Sequence, residues 1–177
     1  CNQGISYIQD ISNKELSPLI DLKKITATTN FSLLTTVDVI SICVPTPLRK
    51  SKDPDMSYIL TAIDSVKQNL RTGHVVILES TTYPGTTDEL ILPKLQETGL
   101  TVGEDFHLAF SPERVDPGNE TYQTHNTPKV LGGVTPKCSE ICEQIYKLAI
   151  DNIVLVSSAR SAELVKIYEN TFRSVNI

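Results

Sequence analysis

Three short apolar runs in this chain each empty into a polar loop stiffened by proline. Asp38 to Val44 (DVISICV) leads into Pro45-Thr46-Pro47. His74 to Leu78 leads into Glu79-Ser80-Thr81-Thr82-Tyr83-Pro84-Gly85-Thr86-Thr87. His107 to Phe110 leads into Ser111-Pro112-Glu113-Arg114-Val115-Asp116-Pro117-Gly118-Asn119. Runs this short, bounded by turn residues, read as strands. In an open α/β sheet, ligands bind in the crevice outside the carboxyl ends of the strands. Three such loops are therefore three candidate walls of one site.

Helical patterns fill the gaps between these runs. Ile59, Ile63, Val66 and Leu70 recur at helical spacing, with Asp55 as a cap and Gly73 as the stop. Thr86 followed by Glu89 predicts a capping box that opens a helix closed by Gly99. Pro136 to Ile150 and the stretch from Ala159 onward read as helices, and Gly4 to Ile20 as a partly irregular helical lead-in. Strands are expected at Ile25–Thr28, Val39–Val44, Val75–Glu79, Leu108–Phe110, Lys129–Leu131 and Ile153–Val156. Val39 to Val44 is nearly all apolar, as expected of a strand buried on both faces of a parallel sheet. Strands alternating with helices imply right-handed βαβ units, and hence a doubly wound, mainly parallel α/β sheet.

With 177 residues and 40% hydrophobic content, the chain is long enough to bury a core of its own. Its net charge of -5 argues against a nucleic-acid partner, which requires a basic face. No apolar run approaches the ~18 residues of a membrane span, so no membrane partner is expected. Cys1, Cys43, Cys138 and Cys142 form no CxxC pair. Cys138 and Cys142 share a helical face, but no His lies near them in sequence, so core packing explains them better than a metal. Reduced cysteines point to a cytoplasmic compartment. His74, His107 and His125 are scattered and receive no role. Both ends of the chain look cut, since it opens without Met and closes inside a helical pattern.

Three places carry candidate chemistry. The turn from Ser80 to Thr87 aims hydroxyls and backbone N–H groups at a helix N-terminus, where the dipole favours phosphate or another anion. A well-capped helix would explain the same residues, since Ser and Thr are ordinary cap residues. The loop from Ser111 to Asn119 holds Glu113, Arg114 and Asp116 between Pro112 and Pro117. A carboxylate fixed there can act as a general base or position a water, although a solvated loop is the plainer reading of the charges. On the last helix, Val165, Tyr168, Phe172 and Val175 form an expected buried stripe. Glu163, Lys166, Asn170 and Arg173 lie beside it. They form either a solvated face with a modest Glu163–Lys166 pair or a Lys and an Asn presented to an oxyanion.

Taken together, DVISICVPTP, ESTTYPGTT, SPERVDPGN, KVLGG and AELVKIYEN resemble the UDP-glucose/GDP-mannose dehydrogenase family, in order and over essentially the whole chain. The wording of ESTTYPGTT and SPERVDPGN is most similar to the UDP-N-acetylhexosamine 6-dehydrogenase branch, including UDP-N-acetylglucosamine 6-dehydrogenases of bacterial surface-polysaccharide synthesis. The resemblance implies a Rossmann-like NAD-binding domain over residues 1–157, and at 158–177 the start of a helix leading to a central dimerisation domain. It implies NAD as cofactor, a UDP-sugar as substrate and a homo-oligomer, with a dimer expected through segments beyond Ile177. By motif position, Pro45, Thr46, Ser80 and Thr81 correspond to residues lining the NAD site, with Thr81 near the catalytic water. Glu113 corresponds to the loop glutamate implicated in catalysis. Arg114 and Val115 correspond to positions touching the nucleotide sugar. Lys166 and Asn170 correspond to the pair that steadies charge on the reacting oxygen and faces the substrate.

The implied reaction takes the sugar C6 alcohol to an aldehyde, a cysteine thiohemiacetal, a thioester and finally a carboxylate, using two NAD⁺. This sequence departs from the family pattern in several places. It has no GxGxxG, so the first β-α-β unit is missing, and the family's nucleophilic cysteine is expected beyond Ile177. The chain alone is therefore expected to be inactive and to bind NAD weakly or not at all. Pro117 stands where many relatives carry a second Glu, and Arg114 replaces the aromatic residue of the UDP-glucose branch. Two other readings remain open: a non-catalytic Rossmann-like binding domain, and a β-hydroxyacid-type NAD dehydrogenase.

Overall fold

The computed structural model describes residues 1–8, 11–50, 53–114 and 126–176. Five strands form one sheet in the order β1 (Val39–Ile42), β2 (Val75–Leu78), β3 (His107–Phe110), β4 (Lys129–Gly133) and β5 (Ile153–Leu155). β1, β2 and β3 run parallel, β4 turns antiparallel to β3, and β5 runs parallel to β4. The sheet is thus mainly parallel, with one reversal that uniform βαβ units did not anticipate. No helix separates β3 from β4 among the described residues, and an antiparallel neighbour needs none.

The helices are α1 (Asn13–Asp21), α2 (Ser57–Asn69), α3 (Leu92–Gln96), α4 (Pro136–Tyr146) and α5 (Ala159–Asn176). A π-helical turn, Thr86–Ile91, runs directly into α3. Side chains alternate across a strand, so each face of the sheet collects its own core. On one face Val76, Leu78, Leu108 and Phe110 pack with Ile59 and Ile63 of α2, Leu95 of α3 and Ala162 of α5. On the other, Val75, Ile77, Ala109 and Leu131 pack against Cys142, Ile141 and Ile145 of α4. The two glycines ending β4 permit this closeness. A Cβ on Gly132 would lie 2.1 Å from the Ser158 carbonyl oxygen, and one on Gly133 would lie 2.3 Å from the Ser139 nitrogen.

Three expectations fail, each for a packing reason. Ile25–Thr28 is not a strand. The Asn2 side chain instead takes both backbone groups of Ala27, accepting from its N–H at 2.7 Å and donating to its carbonyl at 2.8 Å. The β1 segment is buried on one face only, with Ile40 and Ile42 inside but Val39 and Ser41 exposed. It is the edge strand, and α4 covers β2 to β4 rather than β1. The expected buried stripe of the last helix is also wrong. Tyr168, Phe172 and Val175 are exposed, Val165 alone is partly covered, and burial falls on Ala159, Ala162 and Glu163. Only the first turns of α5 meet the sheet, and no described residue covers the rest. Among the described residues, no helix is long and apolar enough to cross a membrane.

Candidate functional site

The register places Ile42, Leu78 and Phe110 abreast at the carboxyl ends of β1, β2 and β3. All three loops singled out from the sequence therefore leave the same edge of the sheet. Side chains stitch them together. The Ser80 hydroxyl donates to the Ile42 carbonyl at 3.1 Å and accepts from the Val44 N–H at 2.8 Å. Ser111 donates its N–H to the Leu78 carbonyl and its hydroxyl to the Val130 carbonyl. Ser80 and Ser111 are thus buried fasteners between strands, whereas Thr81 and Pro45 are exposed and Thr46 half-buried.

The turn from Ser80 to Thr87 does end on a helix N-terminus with free donors, but its anion is internal. Glu163 of α5 is fully buried, and its carboxylate accepts from the Gly85 N–H (2.6 Å), the Thr87 N–H (2.8 Å) and the Thr87 hydroxyl (2.6 Å). Gly85 turns the chain into position with φ +97, which L side chains rarely adopt. Burial pushes the Glu163 carboxyl above its ordinary range, against the hydrogen bonds from Thr87 and Gly85. Glu163 is therefore neither part of a solvated face nor a partner of Lys166. The expected Thr86–Glu89 capping box is also absent: Glu89 pairs with Arg160 at 2.6 Å, and Thr86 donates to the Tyr83 carbonyl.

A second polar cluster escaped sequence reasoning. Glu79, the residue after β2, accepts from Lys129 at 2.6 Å, from Ser41 at 2.7 Å and from the Tyr146 hydroxyl at 2.9 Å. Burial works against its charge, yet the Lys129 ammonium and these hydrogen bonds outweigh it and hold the carboxyl below the usual glutamate range. Lys129 also stands 3.8 Å from a Glu113 carboxylate oxygen and over the Tyr146 ring at 5.1 Å. No spacing rule joins residues contributed by β1, β2, β4 and α4. Only the strand order does.

The SPER loop and α5 meet directly. Lys166 donates to the Glu113 carbonyl. Arg114 pairs with Glu169 at 2.6 Å and donates to the Pro128 carbonyl at 2.7 Å. Between them opens a cleft of about 440 Å³ lined by Arg114, Lys166, Glu169, Asn170 and Arg173, together with Tyr168 and Phe172. Glu113, Arg114, Lys166 and Asn170 thus come together as expected, and Lys129 ties Glu113 to the end of β2. Thr46, Ser80 and Thr81 share the sheet edge but do not line this cleft. Val115 and the rest of that loop through His125 lie outside the described residues.

The described residues include no group of His, Cys, Asp and Glu arranged to hold a metal. Cys142 is buried, and burial pushes its thiol up to about 12, as befits a core residue. For a dinucleotide the fit is partial. Half-exposed hydroxyl and proline residues at the ends of β1 and β2 suit a ribose or ring contact. The pyrophosphate finds no anchor in this chain, because the one helix N-terminus at that edge is already filled by Glu163.

Residues 2–150 match the NAD binding domain of the UDP-glucose/GDP-mannose dehydrogenase family. The chain belongs to that family. It is 37% identical to the UDP-N-acetyl-D-mannosamine dehydrogenase of Pyrococcus horikoshii, over 99% of this chain and 42% of that protein. It is 35% identical to the UDP-N-acetyl-D-glucosamine 6-dehydrogenase of Pseudomonas aeruginosa, over 99% of this chain and 41% of that one. Among solved structures, the Pyrococcus horikoshii UDP-D-ManNAc dehydrogenase superposes with a TM-score of 0.91 at 37% identity, covering 99% of this chain and 42% of its own. A GDP-mannose dehydrogenase ternary complex from Pseudomonas aeruginosa gives 0.89 at 26% identity, over 99% of this chain and 42% of its own. The chain therefore carries the family's NAD-binding fold and spans about two-fifths of the length of these relatives.

Proposed function

We propose that this chain is the NAD-binding part of a nucleotide-sugar 6-dehydrogenase that oxidises the C6 alcohol of a UDP-N-acetylhexosamine to a carboxylate. The observation that carries the reading is the junction of Glu113 and Lys166 beside a cleft at the carboxyl edge of the sheet. In this proposal residues 1–157 form the cofactor domain, and 158–177 begin the helix towards a substrate and dimerisation domain.

NAD, when bound, supplies the hydride acceptor, and Pro45, Thr46, Ser80 and Thr81 line its ring and ribose end. Ser80 shapes this wall through the β1 backbone, while exposed Thr81 is free to contact ligand. Lys166 and Asn170 lie on one face of α5, four residues apart, and supply donors to an oxygen that gains negative charge. Lys166 already donates to the Glu113 carbonyl, so the same side chain sets the loop and faces the cleft. Glu113 takes or orders the proton of a water at the hydrolytic step, with Lys129 nearby favouring its ionised form. Arg114, fixed by Glu169 and Pro128, faces the sugar together with Val115.

The chain alone lacks both the nucleophilic cysteine and a Gly-rich phosphate turn, and is proposed to be inactive. The proposed setting is a cytoplasmic dimer making surface-polysaccharide precursors. The test is NADH formation by the full-length protein, with UDP-N-acetylglucosamine, UDP-N-acetylmannosamine, UDP-glucose and a β-hydroxyacid compared. Turnover of an N-acetylated UDP-hexosamine supports the reading. Turnover of the hydroxyacid alone, or of none of the four, removes it.

A further inference from the structure

Glu163 is placed oddly for a residue on a helix that displays its polar groups to solvent. It is fully buried, three residues before Lys166, and its whole acceptor capacity is directed at one segment of another element. That segment, Gly85 to Thr87, closes the loop that begins with Ser80 and Thr81. We propose that Glu163 is a positioning residue, locking the helix that bears Lys166 and Asn170 to the loop that bears Thr81. The inference rests on the dehydrogenase reading for the meaning of those residues, while the lock itself is a separate physical claim.

The geometry explains why a carboxylate is required. One oxygen takes both Thr87 donors and the other takes the Gly85 N–H. All three partners donate, so an isosteric amide would have to turn its own N–H₂ towards one of them. Shape alone cannot substitute for charge at this position. A second link between the same elements, Arg160 with Glu89, lies on the exposed surface, where such pairs hold little. Arg160→Gln therefore serves as a control that cuts a bridge between the same partners without touching the buried one.

In the full-length protein, Glu163→Gln is expected to lower kcat about 10- to 100-fold while KM for sugar and NAD stays within about threefold, because misplaced groups lose rate rather than affinity. Arg160→Gln is expected to keep wild-type kinetics. Thr87→Val, a milder cut that leaves both N–H bonds, is expected to give a smaller loss, and combined with Glu163→Gln to add little. Amide hydrogen exchange supplies an arm independent of catalysis. In Glu163→Gln, and to a lesser degree in Thr87→Val, the Gly85 and Thr87 amides and the α5 amides around Lys166 should lose protection together. If the wild-type protein turns over no UDP-sugar, the functional reading fails and the exchange arm alone decides the lock. Unchanged protection in both variants overturns it. So does normal kcat, measured well below the melting temperature, in a Glu163→Gln protein that merely melts earlier. Should Glu163→Gln fail to fold, the same two outcomes are read from Thr87→Val.

Discussion

Replacing Lys129 by Met isolates the Glu79–Lys129 pair, because Met keeps the aliphatic stem and removes only the charge. The two side chains are 11% and 16% exposed, so this is a buried pair rather than a surface one. Removing one partner of a buried pair typically costs 3–5 kcal/mol, since the other charge is left uncompensated. Here Glu79 keeps its bonds from Ser41 and Tyr146 and a little water, which places the cost near the lower end, about 3 kcal/mol. With a urea slope of about 2 kcal/mol/M, the unfolding midpoint should fall by about 1.5 M at unchanged slope. Adding Glu79→Gln removes the stranded charge and keeps an acceptor for Ser41 and Tyr146. The double variant should then recover at least about 1 kcal/mol. The pH dependence has a definite sign. The Glu79 carboxyl titrates lower in the folded state than its unfolded value of 4.5, so the pair's contribution is full above that pH. It fades as pH falls through the folded value. A loss below about 1 kcal/mol at neutral pH, the size seen for exposed pairs, would refute the buried-pair argument.

Other outcomes follow from single side chains. His74 is fully buried with its Nε2 unpartnered, and burial together with Arg71 pulls its titration below 6.5. The folded state thus resists protonation, so the melting temperature should drop as pH falls below about 6.5, and His74→Phe should flatten that slope. Lys166→Ala should lower turnover of the full-length protein roughly 100- to 1000-fold, the value of a preorganised oxyanion donor, while changing stability by under about 1 kcal/mol. A variant that melts early but turns over normally would make Lys166 structural. Gly132→Ala must displace the Ser158 carbonyl from 2.1 Å, and should destabilise by at least about 2 kcal/mol in the same urea assay.

Much of this fold was legible because its signals are local. Ile59, Ile63 and Val66 show the helical period of α2, and the uninterrupted run from Val75 to Leu78 shows a fully buried strand. What was not legible depends on neighbours. Ser41 and Val39 look like core positions until β1 proves to be an edge strand with one face uncovered. Tyr168 and Phe172 have the period of a buried stripe, yet burial depends on whether an element lies opposite, which period cannot report. The same holds at the site. Loops following parallel strands had to share an edge, and Glu113, Lys166 and Asn170 were readable from motif order. Glu79 and Lys129 are adjacent only because β4 returns antiparallel beside β3, and Glu163 looked like one more surface carboxylate on an amphipathic helix.

The central claim is a four-electron oxidation at the sugar C6, and the stoichiometry of the full-length protein tests it most directly. NADH formed per UDP-N-acetylhexosamine consumed should be two, with the C6 carboxylate as the product resolved by NMR. One NADH per substrate with an aldehyde or ketone product, or no NADH from any UDP-N-acetylhexosamine, would contradict the account.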